Sequence, residues 1–167
     1  MTLNMEKVKY IIFEFDSVLC SWNQYTGINE EWFEVQSMSG KISPYEIEGN
    51  KRRPYAYSVG IFEKLLPILY KEDKRFYICS ETDSCPLMLA KQNWAEFEYK
   101  VSFGNICVAH GISKAVICSR LAKSLLVEHE EILYVDYNKS VLSEMEYEGF
   151  QVVTPVDLAD YYVCTYC

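Results

Sequence analysis

Three short runs of β-forming apolar residues each end abruptly on polar side chains, and this restricts the fold more than any other feature of the chain. Tyr10-Ile11-Ile12-Phe13 runs into Glu14 and Asp16. Arg75-Phe76-Tyr77-Ile78-Cys79 runs into Ser80, Glu81, Thr82 and Asp83, and Ile132-Leu133-Tyr134-Val135 into Asp136. A continuous apolar run, unlike an alternating one, marks a strand buried on both faces, as in a parallel sheet covered by helices. Gln151-Val152-Val153 reads as a short fourth strand, and residues 99–103 as a candidate fifth.

Helical patterns separate these runs. Residues 59–70 carry Ile61, Phe62, Leu65, Leu66, Ile68 and Leu69, with Pro67 expected to kink the helix or end it early. Residues 85–97 are a second candidate. Residues 113–126 place Val116, Ile117, Leu121, Leu125 and Leu126 on a stripe, with Ser113 as N-cap. Residues 140–148 are closed by Gly149, the residue type favoured just past a helix end. Strands alternating with helices predict an α/β fold: a three-layer sandwich with a mainly parallel sheet and a Rossmann-like core. At 167 residues the chain is expected to form one domain over 1–167. Residues 20–57 are the least regular stretch. They read as a short insertion after the first strand, a small cap with a short helix near 29–36.

The formal net charge of −8 argues against a nucleic-acid or anionic-membrane surface, since Lys51-Arg52-Arg53 is the sole basic cluster in the sequence. No apolar run has the length of a membrane span, and residues 1–9 lack the apolar core of a secretion signal. The odd count of seven Cys fits reduced thiols in a cytoplasm. Cys164 and Cys167 form one CxxC pair, half a zinc site, and His110 and His129 lack finger spacing. The expectation is a frayed tail holding two thiols. The 14 Tyr predict partly wet packing, with hydroxyls that need partners.

In open α/β sheets ligands sit beyond the carboxyl ends of the strands. Glu14, Asp16, Ser80 and Asp136 all fall there, and Lys114 opens the helix between. Acids, a hydroxyl and an ammonium converging on one rim would suit a phosphate and a divalent cation. Each residue also has a plainer reading. Glu14 could be a solvated strand-end acid, Asp16 and Asp136 could cap turns, and Ser80 could cap a turn or helix. Lys114 opposes the dipole of its helix, which favours a ligand-directed role.

Phe13-Glu14-Phe15-Asp16-Ser17-Val18-Leu19 resembles the first motif of the haloacid dehalogenase (HAD) superfamily, an apolar strand entering Asp-x-Asp-Gly-(Thr or Val)-Leu. Ser80 after Tyr77-Ile78-Cys79 is similar to the second motif and Lys114 to the third. Leu133-Tyr134-Val135-Asp136-Tyr137-Asn138, with a helix and Gly149-Phe150 behind it, is similar to the fourth. The ordered set covers residues 10–153. The resemblance implies a phosphatase-type hydrolase, whose partner is a phosphorylated small molecule or none. It casts Glu14 as nucleophile and Asp16 as general acid/base, with Ser80 and Lys114 holding the phosphoryl group and Glu14, Asp16 and Asp136 around Mg²⁺. Two positions depart from it. Glu14 replaces the nucleophilic Asp and projects its carboxylate about 1.5 Å further, and Tyr137 stands where a metal-binding Asp is usual. The expectation is hydrolase ancestry with weak or lost activity and with Mg²⁺ weakly held or absent. The alternative is a non-catalytic protein that binds a phosphate ligand or regulates a partner.

Overall fold

The computed structural model describes residues 3–16, 18–22, 56–58, 60–72, 75–82, 91–96 and 99–166. Its centre is a five-stranded parallel sheet in the order β5-β4-β1-β6-β7. The strands are β1 (Tyr10–Glu14), β4 (Arg75–Thr82), β5 (Ile106–His110), β6 (Ile132–Val135) and β7 (Gln151–Val153). β1 is the middle strand, pairing Tyr10 with Arg75 on one side and with Ile132 on the other. It therefore delivers Glu14 between the C-terminal ends of β4 and β6, at the point where the strand order reverses. Ligand crevices open there in such sheets.

Among the described residues the sheet is accompanied by the helices α1 (Gly60–Lys71), α2 (Lys114–Leu125), α3 (Lys139–Tyr147) and α4 (Pro155–Tyr166). Residues 91–96 are also helical. Alternation along β1 divides the core into two layers, because successive strand side chains point to opposite faces. Ile11, Phe13 and Phe15 pack with Leu65 and Leu69 of α1, Trp94, and Leu158 and Tyr162 of α4. Ile12 packs on the other side with Ala115, Cys118 and Ala122 of α2, Tyr134, and Met145 of α3. The three-layer α/β sandwich read from the sequence is thus the observed architecture. Each large apolar side chain fully buried here contributes roughly 1.5–3 kcal/mol.

Several elements differ from the sequence expectation. Residues 99–103 are not a strand. Lys100 holds a left-handed φ of 55°, which interrupts extended backbone, and the fifth strand is β5 instead. β4 runs on to Thr82 because β5 supplies partners for its end, Ser80 beside Val108 and Thr82 beside His110. Ser80 therefore lies within a strand rather than after one. Pro67 neither ends nor shortens α1, which continues to Lys71 with Leu65 and Leu69 anchored in the core. In α2 the buried face is Ala115, Ile117, Cys118 and Ala122, while Val116 and Leu126 face solvent. Small side chains at three of these positions let the helix lie close on the sheet.

The tail expected after β7 is the helix α4. Thr154 Oγ1 accepts from the Asp157 N–H at 3.2 Å, and Pro155 occupies the first helical position. Cys164 belongs to this helix, and Cys167 lies outside the described residues. Ser113 caps α2 as read from the sequence, accepting from the Val116 N–H. Asn138 caps α3, and Gly149 follows it with φ 93°.

The insertion is described at its two ends. β2 (Cys20–Trp22) and β3 (Ala56–Ser58) pair antiparallel, with Cys20 beside Ser58 and Trp22 beside Ala56. Residues 23–55, including the expected helix at 29–36, lie outside the described residues, as do 85–90 and 97 of the second candidate helix. Among the described residues no helix is long and apolar enough to cross a membrane.

Candidate active-site rim

Glu14, Asp16, Ser80, Lys114 and Asp136 meet at one rim of the sheet. The last residue of β1, Glu14, is buried rather than the solvated strand-end acid of the plainer reading. Its Oε1 accepts from Ser80 Oγ at 3.2 Å and from the Asp16 N–H at 3.3 Å. Its Oε2 lies 2.8 Å from the Lys114 ammonium and accepts from the Tyr134 hydroxyl at 3.1 Å. Both oxygens of the carboxylate are thus engaged. Lys114, on the first turn of α2, also lies 3.6 Å from Asp136 Oδ2. Asp136 is buried just past β6. Its Oδ2 accepts from Tyr134 at 3.4 Å, and its Oδ1 caps the following turn through the Asn138 N–H at 2.9 Å. Tyr137, next in the chain, is 40% exposed. The acid on the inner side of this pair is therefore Asp136.

Two participants were absent from the sequence reading. Lys91, fully buried in the helical segment 91–96, places its ammonium 2.7 Å from Asp16 Oδ2 and 3.1 Å from Ser80 Oγ. It also lies 5.4 Å from the centre of the Phe15 ring, a favourable cation–π placement. The signal was present. Lys91 precedes buried Trp94 and Ala95 by three and four residues, the spacing of one helix face. A lysine on an apolar stripe needs a buried partner. Tyr134 was read as core alone, but it stands two residues before Asp136. In a strand that spacing puts both side chains on one face.

Burial raises the Glu14 carboxyl above its ordinary range, and the nearby Asp16 and Asp136 push the same way. Lys114 opposes the rise without cancelling it. Burial alone would lower the Lys114 ammonium, but the Glu14 and Asp136 carboxylates outweigh it and hold the group above its usual value. The Tyr134 phenol is driven far up by burial first and by Glu14 next, so it stays a proton donor. Behind the rim, Cys79 and Cys118 place their sulfurs 4.0 Å apart. The hydrogen bond between them, with burial, holds the Cys79 thiol well above its ordinary value, so it stays protonated and inert.

No protein-family model matches the sequence, and no curated protein matches it. Solved structures do resemble the fold. A HAD family enzyme of Bacteroides thetaiotaomicron, solved as a magnesium complex, is 12% identical with TM-score 0.55, over 89% of this chain and 93% of that one. A haloacid dehalogenase-like hydrolase of Xanthomonas campestris is 8% identical with TM-score 0.58, over 88% and 82%. The N-terminal part of a Bacteroides fragilis protein, containing a phosphatase domain complexed with Mg, is 14% identical with TM-score 0.57, over 93% of this chain and 39% of that chain. The chain has the HAD fold.

Magnesium accompanies that fold in two of these neighbours, the Bacteroides proteins, and the residues at this rim do not fit the ion. Hard divalent cations need several free oxygen ligands. Here the Lys114 ammonium stands between Glu14 and Asp136, and the Lys91 ammonium is on Asp16. Among the described residues no group of three or more acidic, His or Cys side chains is arranged to hold a metal ion.

Proposed function

We propose that this chain, built on the HAD fold, is a hydrolase of phosphomonoesterase ancestry whose turnover is weak or lost. The observation that carries the reading is the state of Glu14, whose two carboxylate oxygens both accept from resident donors. A nucleophile must present a free lone pair in line with phosphorus, and a misplacement of about 1 Å can cost about a hundredfold in rate. Glu14 would have to surrender Ser80 or Lys114 before attacking. Asp16, the acid/base position, is held by Lys91. Mg²⁺ is weakly held or absent, because the acids that would ligate it are already paired. The ligand class is a phosphorylated small molecule, met by Ser80 and Lys114 when it displaces their present contacts. The same closure favours a binding or regulatory role for the rim should turnover prove nil.

Initial rates on a panel of phosphomonoesters with Mg²⁺ test the proposal, using wild type and Glu14→Asp. Slow or undetectable hydrolysis by wild type is the expected result. Efficient metal-dependent turnover that falls in Glu14→Asp would make Glu14 an adapted nucleophile and overturn the reading.

A further inference from the structure

Among the described residues three carboxylates and two ammonium groups share the rim, and they sort into two sets. Lys114 takes Glu14 Oε2 at 2.8 Å and Asp136 Oδ2 at 3.6 Å. Lys91 takes Asp16 Oδ2 at 2.7 Å and Ser80 Oγ at 3.1 Å. The remaining oxygens of Glu14 and Asp136 accept from Ser80 and from the backbone N–H groups of Asp16 and Asn138. We propose that Lys91 and Lys114 are the resident cations of this rim, supplying from within the chain the positive charge that would otherwise come from a divalent ion, and excluding that ion while they remain. The inference deepens the closed-site reading given above and rests on it for the identity of the rim.

Distance supports the exclusion. An Mg²⁺ ion bound to Glu14 Oε2 would sit about 2.1 Å from that oxygen, and so within about 5 Å of the Lys114 nitrogen. A dication and an ammonium so close in a partly desolvated site repel strongly. Asp16 Oδ2 is in the same position with respect to Lys91. Both lysines act as positioning residues, each fixing the carboxylates it neutralises. Deleting the Lys114 charge leaves Glu14 and Asp136 facing one another across the vacated place, with the single Tyr134 hydroxyl proton within reach of either. An oxygen-lined cation site then opens.

The test is Mn²⁺ binding, followed by the loss of the free-ion EPR signal, together with thermal unfolding in chelator and in millimolar Mn²⁺. Wild type should bind no more tightly than millimolar and melt at the same temperature in both. Lys114→Met should bind Mn²⁺ at least about tenfold more tightly and gain melting temperature with the ion. Should Lys114→Met fold poorly, Lys114→Gln removes the charge while keeping a donor for Glu14, and the same gain is expected. Lys114→Arg should retain the exclusion. Micromolar Mn²⁺ binding by wild type, or no gain in a folded Lys114→Gln, overturns the proposal. The two readings fail separately. Efficient turnover that survives chelator would sink the weak-activity reading alone, and tight Mn²⁺ binding by an inactive wild type would sink this one alone.

Discussion

The ammonium of Lys91 lies 2.7 Å from Asp16 Oδ2, yet the two side chains differ sharply in exposure, at 1% for the lysine and 36% for the aspartate. The partners are therefore not equivalent. Removing the lysine leaves a carboxylate that water can reach, whereas removing the aspartate takes a carboxylate partner from a buried ammonium that keeps Ser80 Oγ at 3.1 Å. Breaking a buried pair by stranding one charge costs about 3–5 kcal/mol. Asp16→Ala should fall short of that loss, because Ser80 Oγ still accepts from Lys91, and Lys91→Met should cost less again, about 1 kcal/mol, nearer a surface pair. Urea unfolding of both variants checks the ordering, and a larger loss for Lys91→Met would contradict it.

Glu14 makes stability depend on pH in a direction opposite to most paired acids. Its carboxyl is raised in the folded chain above the ordinary value of 4.5, by burial first. The folded state therefore holds this proton more tightly than the unfolded state does. The stabilisation is complete below the ordinary value and is lost as pH rises through the folded value. Glu14→Gln removes the titrating group. The stability of wild type minus that of Glu14→Gln should fall as pH rises from about 4 into the neutral range. A difference that rises over this window would show that Lys114 dominates burial.

From a fully buried position, the single Tyr134 hydroxyl proton reaches Glu14 at 3.1 Å or Asp136 at 3.4 Å. Tyr134→Phe keeps the ring packed and deletes the donor. Hydrogen bonds to charged groups are worth about 1.5–3 kcal/mol, and a loss of about 2 kcal/mol is expected by chemical denaturation. A change below about 0.5 kcal/mol would mean that the carboxylates find other donors.

Leu126 closes α2 in the left-handed conformation, at φ 56°, with its side chain 91% exposed. Its N–H reaches back to the Ala122 and Lys123 carbonyls, so the backbone shape serves the cap while the side chain packs little. Left-handed backbone strains a residue with a Cβ but not glycine. Leu126→Gly should stabilise by about 0.5–1 kcal/mol, after the greater entropy of the unfolded glycine chain is deducted. Thermal unfolding measures it, and a loss would show that the Leu126 side chain contributes to packing.

The sheet was largely legible because its inner strands leave no alternative. The apolar runs at β1 and β6, buried on both faces, cannot serve as surface helices, and their terminal acids fix where the rim must lie. The edge was harder. Tyr99, Val101 and Phe103 have strong β-propensity, but Tyr99 is held elsewhere, its ring against Trp94 and its hydroxyl on the Leu19 carbonyl. Tertiary packing thus overrides local preference. The stripe assigned to α2 followed the largest side chains, while the sheet selected small ones. At the rim, residues on the strand ends could be found by position alone. Lys91 reaches the rim from the helical segment 91–96, so its spacing to Trp94 and Ala95 marks it as buried while no strand end points to the rim as its destination.

The pairing of β2 with β3 sets Trp22 beside Ala56, so the chain leaves and re-enters the core through neighbouring strands. The pairing brings together the two ends of the stretch that runs between those points. Loop-closure cost grows only slowly with length. A change of length in the stretch after β2 is therefore expected to cost the β2–β3 pairing little.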